Sequence, residues 1–330
     1  MRKLTWLFLV TTSIVVVTSG CGQRPPAVSS PQPPTPTSVS PTAVPSPTLT
    51  PPPPSQDGFE IVIRTNFQDD SKTDVYIKNS ETGEEELFIT LGDVYREHYH
   101  NSEYHNGNLY IIRRIGYAGS LDEEWSDELW KYDVQGVGTQ IHSARGLDFR
   151  AAPNERYVAV AYSLDGSADP SEGRLAFLDS QGDLAQEFTA DQLGGPYSHS
   201  VSKWSDDSSE FWGMLHVGPS PQVFYRIEPA SWQVNTYDVS QLSVPAEYDL
   251  NANIGRLAYS DYPAMFDMES VGEFEESQQQ VTLFVYDFSS QSTQTIATSM
   301  AKPFNPIWLD DSTIECDDPD GEGRIAYPVD

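Results

Sequence analysis

Cysteine is nearly missing from this 330-residue chain, which has only Cys21 and Cys316. Two such distant thiols exclude a disulfide framework, and without a C-x-x-C pair they exclude redox or zinc chemistry built on adjacent thiols. There is no H-E-x-x-H, no G-x-S-x-G elbow and no Walker loop. Gly136 and Gly138 make a partial G-x-G, with no helix pattern after it. The longest apolar run, Leu4 to Val17, is too short to cross a bilayer and is diluted by Thr11, Thr12 and Ser13. Positive charge is also scarce, with 19 Lys and Arg against 49 Asp and Glu and a net charge of −30. Such a surface repels phosphate backbones, so nucleic acid is not an expected partner.

Acidic residues are wholly absent before Asp57. Arg2 and Lys3 followed by the short apolar run read as an export signal. Ser19-Gly20-Cys21 resembles the bacterial lipoprotein box, with Thr18 where that family usually has Leu. The resemblance implies a signal peptide over residues 1–21 and lipidation of Cys21. The chain would then be held extracytoplasmically on the cell membrane or outer membrane; the alternative is an ordinary signal peptide with an incidental Cys. Residues 22–56 are mostly Pro, Ser and Thr, including Pro51 to Pro54. Fixed φ and missing donors leave no core there, so a disordered or polyproline II linker is expected. At about 3.1 Å per residue it spans up to about 110 Å, a stalk for a globular body.

The body, residues 57–330, carries 16 basic against 49 acidic residues, a net of −33. It repeats one pattern of apolar strand, tight polar turn and second apolar strand. KWSDDSSEFWGML (Lys203 to Leu215) and PIWLDDSTIEC (Pro306 to Cys316) are the clearest copies, each with a Trp two residues before Asp-Asp-Ser. Val62, Leu109, Val158, Phe211, Leu257 and Ile314 mark the second strand of six units about 50 residues apart, the size of a propeller blade. A third strand follows in the first five units and ends in Asn79, Asp133, Asp179, Glu228 or Asp287, where an Asx side chain can set the turn. The first unit lacks its inner strand and the last its outer one, as ring closure with shared strands leaves behind. The expected fold is all-β, a six-bladed β-propeller, with five or seven blades or a pair of β-sandwiches as the alternatives.

Trp204-Ser205-Asp206-Asp207, Pro153-Asn154, Tyr132-Asp133 and Leu178-Asp179 together resemble the TolB-like (WD40-like) propeller repeat. The resemblance covers nearly the whole body, without the Pro-Asp-Gly turn of that family, and implies the same blade architecture.

Half of the six histidines fall in EHYHNSEYH, as His98, His100 and His105. In an extended strand His98 and His100 share a face. With Glu97 or Glu103 they are a candidate site for Zn²⁺ or another transition metal, and with His199 a candidate binding cluster at a channel mouth. Asp317, Asp318 and Asp320, around a glycine turn, are a candidate for Ca²⁺. Polar rim residues and a solvated turn are the plain alternatives, in which no cofactor is held. Cys316, in an apolar run beside Glu315, Asp317 and Asp318, is expected to be a buried, unreactive thiol. No catalytic residue stands out. The first expectation is a non-enzymatic binding or scaffold module for envelope proteins or an extracellular ligand. The alternatives are a secreted glycan- or ester-cleaving hydrolase, with its site at the channel mouth, and a cation-dependent adhesion module.

Overall fold

The computed structural model describes residues 58–66, 68–69, 72–92, 99–115, 126–164, 172–196, 198–217, 220–242, 247–262, 274, 276, 279–300, 302–319, 321 and 323–329. For Thr65, Tyr99, His100, Val217 and Ser220 it describes the backbone alone. The expected signal peptide with Cys21, the expected linker of residues 22–56, Glu97, His98 and Asp320 lie outside the described residues. No described helix is long and apolar enough to cross a membrane.

Every sheet is antiparallel and built by chain neighbours. β1 (Phe59–Thr65), β2 (Thr73–Asn79) and β3 (Glu85–Leu91) form the first. β4 (Tyr99–His105), β5 (Asn108–Ile115), β6 (Ser126–Tyr132), β7 (Gly138–Ala151), β8 (Tyr157–Ser163), β9 (Gly173–Asp179) and β10 (Leu184–Thr189) run in order through a seven-stranded sheet. After a single helical turn, α1 (Ala190–Leu193), come β11 (Ser198–Trp204), β12 (Phe211–Val217), β13 (Ser220–Glu228) and β14 (Gln233–Asp238). β15 (Tyr248–Asn251), β16 (Arg256–Ser260), β17 (Gln280–Asp287) and β18 (Ser292–Met300) follow, then β19 (Ile307–Asp310), β20 (Thr313–Asp317) and β21 (Arg324–Pro328).

The seven-stranded sheet is two four-stranded meanders sharing one strand. β7 pairs with β6 up to Ala144 and with β8 from Arg145 onward. The pairing changes beside Gly146, whose φ of 65° is the left-handed region that glycine enters without steric cost. The body is thus six meanders in series, and the six apolar markers fall on the second strands, β1, β5, β8, β12, β16 and β20.

Five apolar seams join the six meanders. Val75, Leu91, Leu109 and Ile111 fill the first, and Ile112, Leu129, Phe149 and Val160 the second. Phe177, Val201, Trp204, Phe211 and Tyr225 fill the third, Trp212, Phe224, Leu257 and Phe288 the fourth, and Leu283, Val285, Trp308 and Ile314 the fifth. This is why strands such as YVAVAYS (β8) are apolar at successive positions: one face packs on the preceding meander and the other on the next. A pair of sandwiches would instead have each core between two facing sheets. Among the described residues no strand pairing links the first meander to the last.

The inner strands are tied to one another by the residues that mark the repeat. Trp204 Nε1 donates to the Arg150 carbonyl at 3.0 Å, and Trp308 Nε1 to the Asp249 carbonyl at 3.2 Å. The turns beyond them form a belt: Asn106 to the Pro153 carbonyl, the Asn154 amide to Ser208 Oγ, Asp206 with Asn253, and Asn251 to Asp310 and Asp311. The third-strand exits behave as their residue type requires. Asn79, Asp133, Asp179 and Asp287 each accept two backbone N–H groups of the following turn through Oδ1. Glu228, one methylene longer, pairs with Arg226 instead.

Candidate functional site at the loop-bearing end

Antiparallel meanders place the first-to-second and third-to-fourth connections at one end of the body, with the others at the opposite end. The connections at the first end contain two to six residues. At the opposite end all but one contain six or more, up to the nineteen between Ser260 and Gln280. Loops that a rigid scaffold positions are where binding residues concentrate. The body therefore has a turn end and a loop-bearing end.

Two groups of polar side chains sit at strand ends on the loop-bearing side. On the seam between the second and third meanders, the His142 ring lies 5.0 Å from that of Tyr162. Tyr162 Oη donates to Glu187 Oε2 at 2.5 Å, a short charge-assisted bond. Burial, then that bond and the Glu187 charge, push the Tyr162 hydroxyl well above its usual range, so it stays a donor. Burial lowers the pKa of His142, which Glu187 opposes, and His142 Nε2 is shut off from water with no hydrogen-bond partner. The second group lies one meander on. His199, on β11, has neither ring nitrogen hydrogen-bonded, and burial, reinforced by Arg174 and His216, brings its pKa down to about 4. On the other face of the same hairpin, Ser200 Oγ and His216 Nε2 are 3.0 Å apart.

The residues expected from the sequence are distributed differently. β4 and β11 are both first strands of their meanders, so His100 and His199 lie on comparable strands. His98 and Glu97 lie outside the described residues, and of His100 only the backbone is described. His105 is at the turn end, buried against Tyr110 with Nε2 3.1 Å from Glu103 Oε2. Glu103 also accepts the Ala151 amide at 2.8 Å and faces Arg150 at 3.4 Å, joining β4 to β7. The Asp317 carboxylate is taken up by Arg324 and Asn305, while Asp318 closes the glycine turn through its backbone. Among the described residues no three His, Cys, Asp or Glu are grouped to hold a metal ion. Cys316 is buried, its thiol pushed up to about 12 by desolvation. Sequence reasoning missed His142 and Glu187, because nothing in their spacing shows that β7 and β10 bring them to one seam.

No protein-family model matches this sequence, and no curated protein does. Among solved structures it is similar to an oligogalacturonate lyase in complex with manganese, at 15% identity over 78% of this chain and 73% of the lyase, with a TM-score of 0.50. The fold is of the β-propeller type. At this identity the likeness is one of fold alone. The propeller domain of the trilobed protease from Pyrococcus furiosus is 11% identical over 78% of this chain and 72% of its own, with a TM-score of 0.44. The tricorn protease is 13% identical over 81% of this chain, with a TM-score of 0.47. This chain spans only 29% of the tricorn chain.

Proposed function

We propose that this protein is a membrane-tethered, extracytoplasmic six-bladed propeller whose loop-bearing end binds a partner protein or extracellular ligand without turning it over. The unequal ends of the body carry the reading: one is closed by hydrogen-bonded turns of at most six residues, while the other collects the long connections. Lipidation of Cys21 and the stalk of residues 22–56 fit the same role, since a tethered binder gains from standing clear of the membrane. The net charge of −33 on the body favours a basic or neutral partner over an anionic one. The test is capture from solubilised envelopes by the full chain, compared with a variant whose 261–279 connection is cut to Asn-Gly and a variant altered at turn residues 133–137. Loss of a captured partner in the loop variant alone supports the reading; equal loss in both variants, or no saturable partner at all, overturns it.

The pairing of Tyr162, Glu187 and His142 favours a second reading, a secreted hydrolase using a tyrosine–carboxylate pair beside an imidazole. Hydrolysis of a glycan or ester in a panel that includes oligogalacturonate, read by water-derived and not unsaturated products and abolished in Glu187→Gln, supports it. The same binding assay repeated with a chelator distinguishes the cation-dependent adhesion module, in which His98, His100 and Glu97 or Asp317, Asp318 and Asp320 would hold Zn²⁺ or Ca²⁺.

A further inference from the structure

We propose that the seam between the third and fourth meanders is an acid-operated latch: a proton taken up by His199 releases the loop-bearing edge of that seam while the turn end stays joined. This goes beyond the binding reading and does not depend on any ligand.

His199 pairs across the hairpin with Leu215 and lies two residues before Val201, and both are members of the third apolar seam. Its ring therefore turns toward the third meander. Neutral imidazole always carries one N–H, and here both ring nitrogens are buried without a partner. Such a group is already held at a cost of about 1–3 kcal/mol. A proton adds a charge where there is nothing to receive it. β9 offers the Arg174 guanidinium and β12 the His216 imidazole, and both oppose a cation. On β10, Glu187 is bonded to Tyr162, and on β7 the Asp148 carboxylate is bonded to Asn101, to the Phe149 amide and, across the seam, to the Val201 amide. On α1, Asp191 is exposed, and β8 and β13 face the seam with Ala159, Ala161, Val223, Tyr225 and Ile227. His142, one seam earlier, has Glu187 acting in its favour, so its protonation is partly compensated.

The opposite end of the seam has no titrating link. Trp204 Nε1 donates to the Arg150 carbonyl, the Arg150 guanidinium donates to the Ser202 carbonyl at 3.0 Å, and the Asn154 amide donates to Ser208 Oγ at 3.1 Å. A side chain whose pKa rises from about 4 when packed to about 6.5 when released makes opening about thirtyfold more favourable at pH 5 than at pH 8.

The experiment is hydrogen exchange on the full chain at pH 8 and pH 5, corrected for the intrinsic rate, with His199→Gln and His142→Gln beside the natural sequence. The expected result is a protection loss of about thirtyfold at pH 5 for the amides of 198–201 and 174–175, with those of 154, 205 and 208 unchanged. His199→Gln abolishes the loss and His142→Gln keeps it. Equal protection at both pH values, uniform loss across the body, or an undiminished acid response in His199→Gln overturns the proposal. Should His199→Gln not fold, the His199 titration in the natural chain, read by NMR of its ring proton, decides instead: a pKa at or above 6.5 overturns the latch, and one well below it, with the local protection loss, supports it.

Discussion

At the scale of single residues, stability is concentrated in small polar groups that do one geometric task. Asp287 gathers the Ser289 and Ser290 amides and the Ser289 hydroxyl, and it pairs with Arg256 at 3.3 Å. Led by the Ser289 hydroxyl, these bonds bring its pKa down to about 2. A depressed carboxylate contributes stability that is complete above about pH 4, its unfolded pKa, and lost as pH falls through about 2. Screened by solvent, that contribution is small, so Asp287→Asn should cost about 1 kcal/mol at pH 7 in urea denaturation, and that deficit should shrink toward zero at pH 2. A deficit independent of pH would show that the amide geometry, not the charge, matters there. Gly213 presents the opposite situation, a residue kept small by its neighbour. The Tyr225 ring lies across the Gly213 Cα, and the Tyr225 hydroxyl is buried with no partner. Gly213→Ala should cost about 1–3 kcal/mol through overpacking. Tyr225→Phe alone should be neutral or stabilising, since it removes an unsatisfied hydroxyl. It should not rescue Gly213→Ala, because ring carbons as well as the hydroxyl crowd the new methyl.

At the scale of strands, the hydrogen bonds from Trp204 and Trp308 to the preceding inner strand explain why the repeat keeps an indole there when other apolar side chains fill the seams elsewhere. Trp204→Phe and Trp308→Phe keep most of the apolar surface and lose the donor. Each should lower stability by at least about 1 kcal/mol, read as a shift in the denaturation midpoint, with about 1 kcal/mol attributable to the bond. The strand level is also where the sequence was most legible. Second strands such as Tyr157–Ser163 announce themselves because burial on both faces leaves almost no polar position. Third-strand turns announce themselves through Asn79, Asp133, Asp179 and Asp287. What could not be read is whatever depends on two distant strands meeting. His142 reads as an isolated histidine in a polar stretch, and only the folded chain sets it against Tyr162 and beside Glu187. His105 shares a segment with His98 and His100, but the strand ends on it beside the Asn106-Gly107 turn, where it is buried against Tyr110 and close to Glu103.

For the whole molecule, like charge dominates. A chain with a net charge of −30 repels itself, and many of its described ion pairs, such as Arg64–Glu85 and Arg226–Glu210, are partly exposed and contribute little each. Added salt should therefore stabilise rather than weaken it. Raising NaCl from about 20 to about 200 mM at neutral pH is expected to increase Tm by several degrees, because screening relieves more repulsion than attraction. A flat or falling Tm would mean that the local ion pairs outweigh the global field.

The strand that serves two sheets has a consequence for how the polypeptide can be divided. Between Ala144 and Asp148 the backbone passes from one meander to the next within a single strand, whereas each other junction has a connecting segment. Separately expressed fragments broken within 190–197 or 239–247 should reassemble, because each half keeps its meanders whole. Fragments broken at Gly146 keep both meanders paired, the first half-strand with β6 and the second with β8, yet should reassemble less readily, because their new charged chain ends fall inside a strand instead of in a connecting segment.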